Sequence, residues 1–297
     1  MIAKKGSQTM KKVLSVIIAL LLLGSMTCIA DPADSRTVIG ADLDSSEISA
    51  VYKVFGIKRG DVKELTVTNT DEREYLEGLV DEKLIGSKSI SCVYIDALDE
   101  GDGMKVSVKN ISWCTPDMYM NAMITAGISD ANVVIAAPYE VSGTAALTGI
   151  YMAYEDITGE TLDDTAKLVG TQELTVTAEL GEEIGRINST EIVSQLKLIL
   201  DETSKMSDDE LKAEIRSLAS EIGVTLNDSQ LDKLVGLCRS MEKLDASELR
   251  SKIEEVKQKI IGFAKAKAEI KQFFENLGDT VSTIVDAVIN FFKGIFG

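Results

Sequence analysis

The chain has 297 residues, 45% apolar and 27% charged, with 48 acidic against 31 basic residues and a formal net charge of −17. A surface this acidic repels phosphate and argues against nucleic acid as a partner. Histidine is absent, which removes Ser-His and Cys-His nucleophile pairs, the His-x-x-x-His zinc helix and every imidazole general base.

Lys4, Lys5, Lys11 and Lys12 precede an uncharged run from Val13 to Ala30, and the chain turns acidic at Asp31. A basic region, a short apolar region and a small residue before the break predict a secretory signal peptide over residues 1–30, cleaved near Ala30. The run is eighteen residues long, just inside the length a tilted membrane helix needs, so an uncleaved anchor is the competing reading. Ser25-Met26-Thr27 is a poor lead-in for a lipid anchor on Cys28. The expected location is therefore extracytoplasmic, secreted or associated with the cell envelope.

Without residues 1–30 the chain carries 27 basic and 48 acidic residues. The acid is uneven: residues 31–189 hold 12 basic against 29 acidic, and residues 190–297 hold 15 against 19. This step predicts an acidic domain over 31–189 and a second domain over 190–297. Cys92, Cys114 and Cys238 remain, an odd number that does not specify a disulfide framework and suits small buried hydrophobes.

In chain order, Ser45 or Ser46 caps a short helix carrying Ile48, Val51, Tyr52 and Phe55 and stopping at Gly56. Leu65 to Thr68 reads as a strand, and Asn69 with Glu72 as the capping box of an acidic helix reaching Val80. Ser89 to Trp113 reads as a hairpin turning near Gly101, in whose register Cys92 and Cys114 stand too far apart to bridge. Thr115-Pro116-Asp117 starts a helix that ends at Gly127, and residues 133–138 form an unbroken apolar strand. The acidic groups at Asp42, Asp44, Ser46 and Glu47, and at Asp96, Asp99, Glu100 and Asp102, lack the calcium-loop spacing. They read as a helix cap and a turn. The whole is α+β: a mixed sheet with helices in the N-terminal domain, followed by an all-helical C-terminal bundle or hairpin.

Ser142, Gly143 and Thr144 sit at a strand-to-helix junction, where free backbone N–H groups and the helix dipole favour an anion. They are the candidate ligand-binding residues. The simpler alternative makes Ser142 the helix cap, with Gly143 allowing the turn and Ala145, Ala146 and Gly149 letting the helix lie close to the sheet. No catalytic residue, metal site or cofactor site is specified by a motif.

Around this junction, the stretch TPDMYMNAMITAGISDANVVIAAPYEVSGTAALTGIYMAYEDITG, with the upstream VYKVFGIKRGDVKELTVTN, resembles the YpuA-like exported proteins of Gram-positive bacteria, a family defined by a domain of unknown function. The resemblance spans about Asp42 to Leu200. It implies an exported or envelope protein and carries no reaction and no site residues.

Beyond Leu162 helical patterns take over, with caps at Asn188, Ser207, Asn227 and Asp245. From Leu249 to Ile295, fourteen positions at alternating spacings of four and three are apolar but for Lys267, a heptad seam. The seam closes a bundle core, or mates with an envelope protein or a second copy, or lays Asp279 to Gly297 against a membrane surface. The leading expectation is a non-catalytic binding or assembly protein of the envelope. The rival is a histidine-free hydrolase of cell-wall material using Ser142 or carboxylates.

Overall fold

The computed structural model describes residues 34–79 and 82–254. The signal segment, the seam beyond Ile253 and the segment from Asp279 lie outside the described residues. Strand β1 (Ser35–Gly40) leads to helix α1 (Ser45–Phe55), then β2 (Lys63–Val67), α2 (Asn69–Leu76) and the single turn α3 (Glu82–Ile85). Strands β3 (Cys92–Ala97) and β4 (Met104–Ile111) follow, then α4 (Pro116–Thr125), β5 (Ala131–Val141) and α5 (Thr144–Thr158). The helical half comprises α6 (Asp164–Ile184), α7 (Arg186–Leu198), α8 (Leu200–Thr203), α9 (Asp208–Glu221) and α10 (Asp228–Met241). Residues 246–254 are again helical. The α+β architecture is as the sequence implies.

The sheet runs β2-β1-β3-β5-β4. β1 and β2 are parallel, β4 and β5 are parallel, and β3 is antiparallel to both its neighbours, β1 and β5. β2, β1, β5 and β4 therefore all point the same way, and their C-terminal ends share one edge of the sheet. This corrects the expected hairpin: β3 and β4 are consecutive in sequence, but β5 stands between them. The correction changes why Cys92 and Cys114 stay apart. They are buried free thiols: Cys92 opens β3 and Cys114 lies beyond the end of β4, so the two strand spacings across β5, about 10 Å, are increased by an offset along the strands, where a bridge needs about 7 Å or less. β1, a short strand with no turn signal before it, is an addition to the expected order.

Alternation assigns the two faces. Val38, Val93, Ile95, Val133 and Ile135 face the main core under α2, α4 and α5, while Ile39, Cys92 and Ala136 face the other way, against Val51, Tyr52 and Phe55 of α1. Gly149 lets α5 settle onto the sheet: a Cβ there would stand 3.3 Å from Val38 Cγ1 and 3.5 Å from Val93 Cγ2. That close approach buries Leu147 and Ile150 almost completely, each contributing about 1.5–3 kcal/mol.

The helical half continues the same core. One contiguous cluster runs from Val38 on the sheet through Leu174 of α6, Leu196 of α7, Ile215 of α9 and Leu234 of α10 to Leu249 and Ile253, the first two positions of the seam. The charge step at residues 189 and 190 falls inside α7. Within this half, Lys197 of α7 and Glu173 of α6 form a fully buried ion pair at 2.9 Å.

Local caps set the helix starts. Thr115 accepts from the Met118 N–H with Pro116 in the first turn. Ser207 with Glu210 and Asn227 with Gln230 form full capping boxes, and Asp245 accepts from the Ser247 and Glu248 N–H groups. Three starts differ from expectation. Asp44, not Ser45 or Ser46, caps α1, because its carboxylate reaches two N–H groups and Glu47 completes the box. Thr68 with Asp71 boxes α2, which frees Glu72 for other work. Asn188 lies inside α7 and donates to Ile184 O; the break between α6 and α7 is at Gly185.

Candidate functional site

β5 ends at Val141 and α5 begins at Thr144, so Ser142 and Gly143 make the whole turn. Gly143 is the N-cap at φ 97°, a conformation open to glycine and strained for other residues. Its carbonyl accepts a 2.6 Å hydrogen bond from the Tyr119 hydroxyl of α4, which fixes the turn from below. No side chain caps α5, and its first turn holds no acidic residue. Ser142 is thus not the cap. Its hydroxyl donates instead to Leu84 O at 3.0 Å and lies 3.3 Å from Thr144 Oγ1.

Thr144 reaches the residue that completes the site. Its hydroxyl donates to Glu72 Oε1 at 2.5 Å, and Glu72 comes from the first turn of α2, which follows β2 on the same edge of the sheet. Asn69 donates a longer bond, 3.4 Å, to the other oxygen. The carboxyl is 1% exposed. Burial is the largest influence and pushes its pKa up to about 7, against hydrogen bonds from Thr144 and Asn69 that favour the ionised form.

The irregular segment from Gly86 to Ser91 closes the other side. Glu72, Lys88, Ser91, Ser142, Gly143 and Thr144 line a cleft of about 260 Å³. Ser91 is 3% exposed, and among the described residues nothing hydrogen-bonds its hydroxyl. The cleft sits where ligands of open α/β sheets bind, outside the carboxyl ends of parallel strands. The cleft brings together hydroxyls, a buried carboxyl, an uncapped helix start and a lysine at the mouth. Ser142 is paired with a backbone carbonyl and a hydroxyl, and neither is a base for a serine nucleophile.

The structure brings Ser142, Gly143 and Thr144 together on one side of this cleft, as their adjacency requires. Glu72, Ser91 and Lys88 come from elsewhere. Glu72 carries a capping-box spacing to Asn69, and that local signal conceals its long-range partner 72 residues away. The carboxylate also changes the anion expectation, since the helix start already faces a negative group of the protein's own.

Glu72 makes stability depend on pH. Its folded-state pKa is raised, so the group favours the native state fully below its usual 4.5. That contribution is lost as pH rises from 4.5 toward 7, because the unfolded chain ionises first. At 1.36 kcal/mol per unit the swing is about 3 kcal/mol. Urea titrations across pH 4 to 8 are expected to show the stability of Glu72→Gln gaining on the native chain within that window and level above it. Parallel profiles for the two proteins would contradict the assignment.

Every residue of the cleft falls within residues 39–261, which match the family model described as Protein of unknown function (DUF1002). The chain is 36% identical over 282 residues to Uncharacterized protein YpuA of Bacillus subtilis (strain 168), a match covering 92% of this chain and 96% of that protein. No solved structure matches it. The match to the family model and the near full-length likeness to YpuA lead to one conclusion: the chain belongs to the DUF1002 family, whose function is unknown.

Proposed function

We propose that the chain is an exported protein, secreted or held at the cell envelope, that acts by binding rather than by catalysis, with the cleft at Ser142, Gly143 and Thr144 as its recognition site. The observation that carries this reading is the meeting, in one open cleft, of a buried carboxyl, Glu72, with the start of α5, which no side chain caps. A buried carboxyl is costly unless hydrogen bonds or an opposite charge complete it, which suits a cleft that a ligand fills. Export is supported by the lysines and apolar run of residues 1–30. The seam beyond Ile253, within the stretch from Leu249 to Ile295, supplies the means of assembly in this reading, with an envelope protein, a second copy or a membrane surface as its mate.

Two measurements on the full chain, expressed in a Gram-positive host, test the proposal. Fractionation and N-terminal sequencing are expected to place the protein outside the cytoplasm and starting at Asp31; an intact cytoplasmic chain starting at Met1 would overturn export. Ser87 is an exposed lining residue of the cleft, so Ser87→Trp blocks the mouth without touching the core. Retention on purified envelope is expected to fall at least tenfold with an unchanged melting temperature. Undiminished retention would remove the cleft from the recognition role.

A further inference from the structure

We infer that the cleft takes a small zwitterionic group of the α-amino-acid kind, with its carboxylate at the start of α5 and its ammonium on Glu72. The inference rests on the reading of the cleft as a recognition site and names the ligand class.

The cleft has a positive side and an acidic side. On the positive side, Thr144 and Ala145 line the cleft in the first turn of α5. First-turn N–H groups have no partner within the helix, and the dipole there favours negative charge. Gly143 supplies no side-chain cap to satisfy them. Lys88 adds a full positive charge at the mouth, and among the described residues it has no ion-pair partner. A carboxylate is the natural occupant of this side, and the Ser91 hydroxyl is available to donate to it.

The negative side is Glu72. Thr144 occupies one carboxylate oxygen at 2.5 Å, while among the described residues the other accepts only the 3.4 Å contact from Asn69. An ionised carboxylate has about four acceptor sites, so capacity for an ammonium remains. A second anion next to Glu72 would be repelled, and a bare cation would meet Lys88 and the positive helix end. A ligand carrying both charges, a few bonds apart, satisfies each side and cancels both repulsions. The volume agrees: about 260 Å³ lies below the 300–1,000 Å³ typical of drug-sized sites.

The test uses the full chain purified from an exporting host, with glycine, sodium acetate and methylammonium chloride as probes in calorimetric titrations at pH 8, where Glu72 is ionised, and at constant ionic strength. Glycine is expected to bind at least tenfold more tightly than either half-ligand. Glu72→Gln should lose that advantage, leaving glycine no better than acetate. Lys88→Ala, an exposed change that does not threaten folding, should weaken glycine and acetate alike. Acetate binding as tightly as glycine and indifferent to Glu72→Gln would overturn the inference in favour of an anion site. Methylammonium binding as tightly as glycine would overturn it in favour of a cation site. Failure of all three probes to bind also overturns it. None of these results alters the recognition reading, which stands on the Ser87→Trp retention measurement.

Discussion

Replacing Gly143 with alanine is expected to cost about 2–5 kcal/mol of stability. Two independent penalties meet at this position. The backbone sits at φ 97°, and forcing an L side chain into left-handed conformation costs roughly 1–2 kcal/mol. A Cβ would also stand 2.4 Å from the Tyr119 hydroxyl oxygen and 2.6 Å from Ile111 Cγ2. Such overpacking adds about 1–3 kcal/mol. Urea denaturation is expected to show a lower midpoint with an unchanged slope. The double variant Gly143→Ala/Tyr119→Phe relieves part of the overpacking, since losing the hydroxyl removes the nearer clash and leaves the Ile111 contact and the backbone strain. It should recover part of the loss, a non-additive result typical of residues in contact. A single variant within 0.5 kcal/mol of the native protein would show that this turn is not held from below as described.

The second large effect lies in the helical half. Lys197 and Glu173 are both buried, and each finds further partners: Lys197 donates to Asn121 O at 2.9 Å, and Thr125 donates to Glu173 Oε2 at 2.5 Å. The group ties α4, α6 and α7 together. Lys197→Met leaves a buried carboxylate with only a hydroxyl for company, and removing one partner of such a pair costs about 3–5 kcal/mol. Glu173→Leu takes the buried ammonium's counter-charge away while leaving its bond to Asn121 O. The double change Lys197→Met/Glu173→Leu fills the site with apolar volume and is expected to regain most of the loss. Chemical denaturation of the three variants decides the matter. A double variant as unstable as either single one would mean that packing, not uncompensated charge, sets the cost.

These two sites mark what the sequence conveys and what it does not. Thr115-Pro116-Asp117, the box at Ser207 and the box at Asn227 are legible because a cap and its N–H partners lie within three residues. The apolar run at residues 133–138 is likewise legible as a buried strand, and the structure extends it to Ala131–Val141. Strand order is not local. The Ser89 to Trp113 segment has the composition of a hairpin, but pairing β5 with both β3 and β4 buries Val133 and Ile135 from two sides, and this larger burial wins. The cleft divides the same way. Ser142, Gly143 and Thr144 are contiguous and stand out at a strand-to-helix junction, whereas Glu72, Lys88 and Ser91 are gathered by the fold. Lys197 and Glu173 sit on helical faces where a charged residue ordinarily meets water, so nothing nearby signals their mutual burial.

The place of β5 has a kinetic consequence. Until residues 131–141 arrive, β3 and β4 have no shared partner, and each leaves backbone N–H and C=O groups open at an edge that invites pairing with other chains. The sheet can close only after most of its sequence is available, because its last strand goes into the middle rather than onto a side. Non-local pairings of this kind slow folding, since loop entropy is spent before contacts reward it. A chain that commits late stays unfolded for longer after synthesis begins. Strand order alone thus gives this protein a delay between emergence and closure, set by the roughly one hundred residues separating β1 from the end of β5.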